Sequence, residues 1–117
     1  MYEAKLKSSI WVSAYRRQCE LRHVPCMMVA RGDDTAGAVL LKMNGLDDRV
    51  IVLGQATAMD GSRIWRALTG PEPVSETDAD ALIAREKGRD PDIWVLEIED
   101  PRMEFALDEP IEGLAQS

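Results

Sequence analysis

The chain has 117 residues, of which 45% are hydrophobic and 30% are charged, and its net charge is −7. These values are typical of one soluble globular domain with a single core, and they exclude a disordered or membrane-embedded class. No uncharged run could cross a bilayer, and the first residues lack the apolar stretch of a secretory signal, so the sequence predicts a cytoplasmic protein with no membrane association.

Charge is unevenly distributed along the chain. Residues 1–31 carry six basic and two acidic side chains, a net charge of +4, whereas residues 72–117 carry fourteen acidic and four basic side chains, a net charge of −10. An acidic surface repels a phosphate backbone, so we expect no nucleic-acid partner. The basic first segment is instead suited to an acidic protein surface.

The first predicted element is a helix over residues 10–23. Its apolar side chains return every three or four residues, Ser9 is placed as the N-cap, and Pro25 stops the helix. A short strand over the sequence IWVSA is an alternative.

Four short apolar segments follow: CMMVAR, AVLLKM, RVIVLG and RIWRAL. Turn-forming glycine, asparagine and aspartate residues separate them, which predicts an antiparallel meander. In this interpretation the RGD sequence at residues 31–33 is part of a turn, not an adhesion signal.

A second helix is predicted over the sequence SETDADALIAREKG, with Ser75 as N-cap and Gly88 closing the C-terminus. The following sequence, DIWVLEIED, is apolar on both sides of its first half and predicts an interior strand. The predicted fold is therefore α+β, an antiparallel sheet of about five strands with both helices on one face, in the order α-β-β-β-β-α-β. Residues 1–101 would form this single domain and residues 102–117 an acidic C-terminal tail.

Three stretches in the same order, SIWVSAYRR, ARGDDTAGAVLLK and DPDIWVLEIED, resemble an uncharacterised family of small bacterial proteins, domain-of-unknown-function family 1491. The resemblance extends from about Lys5 to Asp100. It implies one domain in a cytoplasmic bacterial setting, and it transfers no activity, cofactor or catalytic residue.

Both cysteines and the single histidine lie within the sequence CELRHVPC, at positions 19, 23 and 26. Cys19, His23 and Cys26 could supply three zinc ligands, but structural zinc sites normally draw paired ligands from two places in the chain. The favoured interpretation is a buried Cys19, an exposed His23 at a helix end and Cys26 in a strand, with no metal and no cofactor.

Acidic residues cluster around the predicted last strand, and the basic helix could pair with them. We expect an interaction or ion network that joins basic and acidic side chains with a tryptophan, drawn from Arg16, Arg17, Arg31, Asp90, Asp92, Trp94 and Glu97. The predicted function is a small non-enzymatic module that binds a protein partner or its own copy through a sheet edge or the basic helix. The alternative is a small enzyme or ligand-binding domain with a carboxylate and arginine site near the last strand.

Overall fold

The structure, a computed structural model, describes residues 6–115. Residues 1–5 and 116–117, which belong to the ends of the predicted domain and tail, lie outside the described residues. The described chain forms two helices, α1 (Ser8–Leu21) and α2 (Glu76–Arg89). It also forms six strands: β1 (Cys26–Ala30), β2 (Val39–Asn44), β3 (Val50–Thr57), β4 (Arg63–Ala67), β5 (Trp94–Glu99) and β6 (Ile111–Glu112).

The strands form one mixed sheet in the order β1-β5-β2-β3-β4-β6. The α+β class is confirmed, and so are three strands of the predicted four-strand meander, β2-β3-β4. The fourth, β1, does not pair with β2, and the prediction of about five strands, all antiparallel, is wrong. β5 runs parallel to β2, and β6 runs parallel to β4. Helix α2 explains the parallel pairing of β5 with β2. It returns the chain across the sheet, so that β5 enters between β1 and β2 in the same direction as β2, and parallel neighbours require such a crossover.

The two helices lie on opposite faces of the sheet, so the prediction that both share one face is also wrong. Val12, Tyr15 and Cys19 of α1 pack on the face that contains Leu41 and Leu96. Ala79 and Ile83 of α2 pack on the other face, with Leu40, Val52 and Val95. Strands β2, β3 and β5 are buried on both sides, and each apolar side needs its own cover.

The first helix begins at Ser8, so Ser9 is not its N-cap. The loop that follows β1 satisfies its first backbone groups instead. The Ser8 and Ser9 amides donate to the carbonyl oxygens of Thr35 (3.2 Å) and Asp34 (2.9 Å). The Ser8 hydroxyl donates to the Gly37 carbonyl at 2.6 Å. The start of α1 is therefore anchored by a segment about 27 residues further along the chain.

The second helix begins as predicted, because the Ser75 hydroxyl accepts a hydrogen bond from the Asp78 amide at 3.1 Å. Its other end differs from the prediction. Gly88 lies within the helix, which continues to Arg89 with Asp90 as the C-cap.

The chain after β5 packs along the α1 side of the sheet. Phe105, Leu107, Ile111 and Leu114 contact the core of that face. The indole of the buried Trp65 donates to the Glu109 carboxylate at 2.9 Å. The short strand β6, which the sequence pattern does not predict, extends the sheet beside β4. Within residues 6–115 no helix has both the length and the apolar composition of a membrane span.

Candidate functional site

A cavity with a volume of about 510 Å³ opens between the end of α1, the end of β5 and the segment after it. This volume is within the range of small-molecule sites. Its floor is apolar, and its rim is charged. Its lining includes Cys19, Tyr15, two arginines, one histidine and three acidic residues: Arg22, Arg102, His23, Glu99, Asp100 and Glu104.

The end of α1 places two of these groups at the cavity. The Val24 amide donates to the Cys19 carbonyl at 2.8 Å, and the His23 amide donates to the Glu20 carbonyl at 3.1 Å. Together with the positive φ of His23 (59°), these bonds form a Schellman motif, in which glycine is the usual residue at the position of His23. The sequence CELRHVPC is therefore a helix terminus that directs Cys19 inward and leaves His23 exposed.

We expect His23→Gly to stabilise the fold. Glycine adopts positive φ without the steric cost of a side chain, so the free energy of unfolding should rise by about 0.5–1 kcal/mol. Chemical denaturation of both proteins measures the difference. A loss of stability would show that the imidazole makes a contact worth more than the backbone strain.

Cys26 packs against the apolar cluster that contains Cys19 on the α1 face of the sheet, and both cysteines are free thiols. A hydrogen bond from the Cys26 thiol lowers the pKa of Cys19 to about 7 against the opposing effect of burial, and Tyr15 and the charge of Arg22 also lower it. The same contact with Cys19, reinforced by burial, raises the pKa of Cys26. The pair thus releases one proton readily and retains the other.

The wall opposite α1 is a turn anchored by Asp100. Its carboxylate accepts hydrogen bonds from the backbone amides of Glu104 and Phe105, both at 2.9 Å. Met103 and Phe105 have φ values of 50° and 48°, so the carboxylate holds a turn in the left-handed region. Asp100 is therefore engaged in shaping the cavity.

The three candidate zinc ligands do not form a metal site in the described chain. No group of three or more histidine, cysteine, aspartate or glutamate side chains within residues 6–115 is arranged to hold a metal ion. Both cysteines instead belong to the apolar cluster that contains Tyr15, whose ring stacks on Trp11 at 5.0 Å.

The predicted ion network is divided between separate places. Arg31 pairs with Asp34 at 3.0 Å and lies 5.2 Å from the centre of the Trp94 ring. Arg16 and Arg17 are exposed on α1, and no carboxylate of residues 6–115 lies within salt-bridge distance of either. Neither arginine therefore forms an ion pair with the last strand within this range.

Asp90, Asp92 and Trp94 belong to a loop cluster at the start of β5. The Asp90 carboxylate accepts from the Asp92 amide at 3.1 Å, and the Asp92 carbonyl accepts from the Asp33 amide at 2.9 Å. The buried indole of Trp94 donates to the Asp33 carbonyl at 2.8 Å. The three stretches that carry the family resemblance meet here, so their shared role is to join the loop, α1 and β5.

Glu97 contacts a residue that sequence analysis did not single out. Lys42 on β2 is only 5% exposed, and its ammonium lies 2.8 Å from Glu76, 2.8 Å from Asp80 and 3.4 Å from Glu97. Burial opposes its charge, but hydrogen bonds to Asp80 and Glu76 outweigh burial and raise the pKa of Lys42. In the sequence, the one indication of this buried ion cluster is the lysine within the apolar run AVLLKM.

Residues 6–115 thus form a small α+β protein with two helices and a six-stranded sheet. A model of the family described as "Protein of unknown function (DUF1491)" matches residues 6–108, and the chain belongs to this family. No curated protein matches the sequence.

Solved structures with the same fold include proteins from Caulobacter crescentus CB15 and A. tumefaciens. A crystal structure of a DUF1491 family protein from Caulobacter crescentus CB15 is 38% identical, with a TM-score of 0.82 over 92% of this chain and 100% of that one. An NMR structure of a DUF1491 family protein from the same organism is 37% identical, with a TM-score of 0.80 over 95% and 100%. The solution structure of protein Atu0922 from A. tumefaciens is 26% identical, with a TM-score of 0.76 over 96% and 100%.

Proposed function

We propose that this protein is a non-enzymatic cytoplasmic interaction module that binds an extended, acidic segment of a protein partner along strand β1. The observation that carries the proposal is the open edge of this strand. β1 pairs with β5 on one side, and within residues 6–115 no strand pairs with its other side. Its five residues are uncharged, and Met27 and Val29 are 60% and 52% exposed. Edges of this kind recruit extended chains unless they are protected.

The register identifies which backbone groups are available to a partner. The Glu99 amide donates to the Pro25 carbonyl at 3.0 Å, so this residue pair faces inward. Inward and outward pairs alternate along an antiparallel ladder. Cys26 and Met28 therefore direct their amide and carbonyl groups away from β5. A bulge between Met28 and Ala30 ends the regular edge, so the available length is short.

Charge favours an acidic partner over a second copy of the chain. The charge of Arg16 acts on Cys26 at the start of β1, and Arg31 follows its end. Two copies paired antiparallel along β1 would bring the Arg31 of one close to the Arg16 of the other, and like charges repel. The carboxylates of an acidic partner segment would instead be attracted to both Arg16 and Arg31. Two free thiols are also consistent with the reducing cytoplasm.

Binding can be tested with labelled peptides that alternate valine with glutamate or, as a control, valine with lysine. We expect the glutamate peptide alone to bind and to shift the NMR signals of the Cys26 and Met28 amides. Met27→Gln should weaken binding roughly tenfold by removing an apolar contact, whereas Met59→Gln, on the fully exposed β3–β4 turn, should have no effect.

Two results would contradict the proposal. The first is that neither peptide perturbs the amides of β1. The second is a concentration-dependent dimer, measured by analytical ultracentrifugation, that Met27→Gln dissociates. That result would identify a second copy as the occupant of the edge.

The alternative function is a small ligand-binding domain or enzyme with carboxylates and arginines near the last strand. The cavity supports this alternative, because Glu99 and Asp100 line it together with Arg22 and Arg102. The predicted arginines, Arg16 and Arg17, are not among its lining residues.

A further inference from the structure

The cavity at the end of α1 is a preformed space, because backbone hydrogen bonds fix the segments around it. The Schellman motif holds the end of α1. At the end of β5, the Glu99 amide donates to the Pro25 carbonyl at 3.0 Å and the Asp100 amide donates to the Asn44 carbonyl at 2.8 Å. These two bonds join the end of β5 to the chain on both sides of it. A ligand would therefore not have to order the cavity in order to bind.

The buried residues that line the cavity are apolar or aromatic. Tyr15, Cys19, Met43 and Ile98 line it, and each is at most 5% exposed. Removing an apolar group from water against such residues is favourable, so a ligand should place an apolar group here. The volume of about 510 Å³ is large enough for a molecule of the size of phenylalanine.

The exposed residues that line the cavity include unpaired charges of both signs. Asp100 is already engaged, since its carboxylate accepts hydrogen bonds from two backbone amides of the turn that follows it. Within residues 6–115, none of the other charged lining residues forms a salt bridge. These residues are two arginines and two glutamates: Arg22, Arg102, Glu99 and Glu104.

This balance of charge favours a ligand that is itself a zwitterion. An anion would be attracted by the two arginines but repelled by the two glutamates, and a cation would experience the reverse. A zwitterion can place its carboxylate at a guanidinium, which matches carboxylate geometry, and its ammonium at a glutamate. An α-amino acid with an apolar side chain combines these two charges with the apolar group that the buried residues require.

We propose that this cavity is a binding site for a free α-amino acid with a large apolar side chain. The side chain packs on the buried lining residues, and the carboxylate and ammonium groups meet the unpaired arginines and glutamates. Binding involves no covalent step, so the site is compatible with a non-enzymatic module. It is a second site, and it does not depend on the β1 edge.

The test is an NMR titration of the full-length protein with L-phenylalanine and with three molecules that each lack one part of it. Phenylpropionate lacks the ammonium group, phenethylamine lacks the carboxylate, and glycine lacks the apolar side chain. We expect L-phenylalanine to bind with a Kd below about 1 mM and to shift the amide signals of Cys19 and Glu99. Each of the other three molecules should bind at least roughly tenfold more weakly.

A steric variant tests whether the cavity itself is the site. Ala106 lines the cavity and is exposed, so Ala106→Trp should fill the cavity without disturbing the core. We expect this variant to weaken the binding of L-phenylalanine by more than about tenfold. Ala84→Trp is the matched control, because Ala84 is exposed on α2 and is not a lining residue. It should leave Kd unchanged.

A pair of arginine substitutions tests the recognition of the carboxylate. The double variant Arg22→Gln with Arg102→Gln should weaken the binding of L-phenylalanine roughly tenfold. Arg16→Gln with Arg17→Gln is the matched control, since both arginines are exposed on α1 and neither lines the cavity. This control removes the same amount of charge and should leave Kd unchanged.

Three results would overturn the proposal. The first is the absence of a saturable shift of the Cys19 and Glu99 amides at about 10 mM L-phenylalanine. The second is that any of the three partial molecules binds as tightly as L-phenylalanine, which would exclude a zwitterionic apolar ligand. The third is unchanged binding in a folded Ala106→Trp variant. The wild-type titration decides even if a variant does not fold, and failure here leaves the binding of peptides to β1 unaffected.

Discussion

Gly32→Ala is expected to destabilise the protein by about 3 kcal/mol and to lower Tm by roughly 10 °C. The added methyl group would overlap the Asp92 carbonyl oxygen and lie 2.7 Å from the Trp94 amide nitrogen. Both are backbone atoms of the chain entering β5, so neither can move aside as a flexible side chain would. Thermal and chemical denaturation measure the loss.

A second alanine substitution provides the matched control. Gly88 is inside α2, and nothing lies within 4 Å of a Cβ added there. Gly88→Ala should therefore leave stability unchanged or raise it by up to about 1 kcal/mol, because alanine loses less backbone entropy in a helix. Equal effects of the two substitutions would show that the close approach at Gly32 has no energetic weight.

The effect of Gly32→Ala should extend to the first helix. The loop of residues 32–37 holds the Trp94 indole and accepts the first amides of α1, so displacing it releases both. Relative to the wild type, Gly32→Ala should accelerate hydrogen exchange more at the Ser9 amide and the Trp94 indole than at the amides of α2. Uniform acceleration throughout the chain would instead indicate global unfolding alone.

Local chemistry explains which parts of the fold could be predicted. The start of α2 follows from Ser75, whose hydroxyl caps the helix without help from distant residues. The meander follows from apolar segments with short connections, as Asn44 and Gly45 indicate between β2 and β3. The end of α1 is also local, but its left-handed residue is a histidine, which gives a weaker signal than glycine.

Non-local pairing explains what could not be predicted. β1 carries an apolar sequence although Met27 and Val29 are exposed, so no polarity pattern marks it as an edge. Around Trp94 and Val95 the side chains on both faces of the strand are apolar, which indicates an interior strand. Because both faces are apolar, another element must pack on each of them. Placing both helices on one face was inconsistent with that requirement.

The candidate site was predictable only in its parts. The sequence CELRHVPC and the acids at the end of β5 were both recognised, but the spacing of residues cannot reveal that they border one cavity. The cavity forms because α1 and β5 end at the same edge of the sheet and the Asp100 turn closes one side. Lys42 was missed because its partners Glu76 and Asp80 come from a helix more than thirty residues away in sequence.

Lys42→Met is expected to lower the free energy of unfolding by about 2 kcal/mol. Methionine replaces the apolar stem of the lysine but leaves three carboxylates without their shared cation. The loss arises mainly at Glu97, whose side chain is 17% exposed, because the half-exposed Glu76 and Asp80 can be hydrated instead. Adding Glu97→Gln to Lys42→Met should restore about 1 kcal/mol by removing the unpaired charge.

The ion pair between Arg66 and Glu112 is a matched control, since its atoms are 3.7 Å apart and both side chains are more than half exposed. Arg66→Met should cost less than about 0.5 kcal/mol. If Arg66→Met and Lys42→Met lowered the free energy of unfolding by similar amounts, burial would not strengthen the ion pairs of Lys42.

The pH dependence of stability provides an independent test of the charge on Lys42. Its pKa is raised in the folded state, so its stabilising effect is complete below the unfolded pKa of about 10.4 and is lost as pH rises through the folded pKa. The stability difference between wild type and Lys42→Met should therefore be constant from pH 7 to about 9 and shrink above about 10.5. Comparing the two proteins removes the contributions of tyrosine and cysteine titration, which both share. A difference that stays constant up to pH 12 would contradict a charge-based role and leave packing of the lysine stem as the source of the effect.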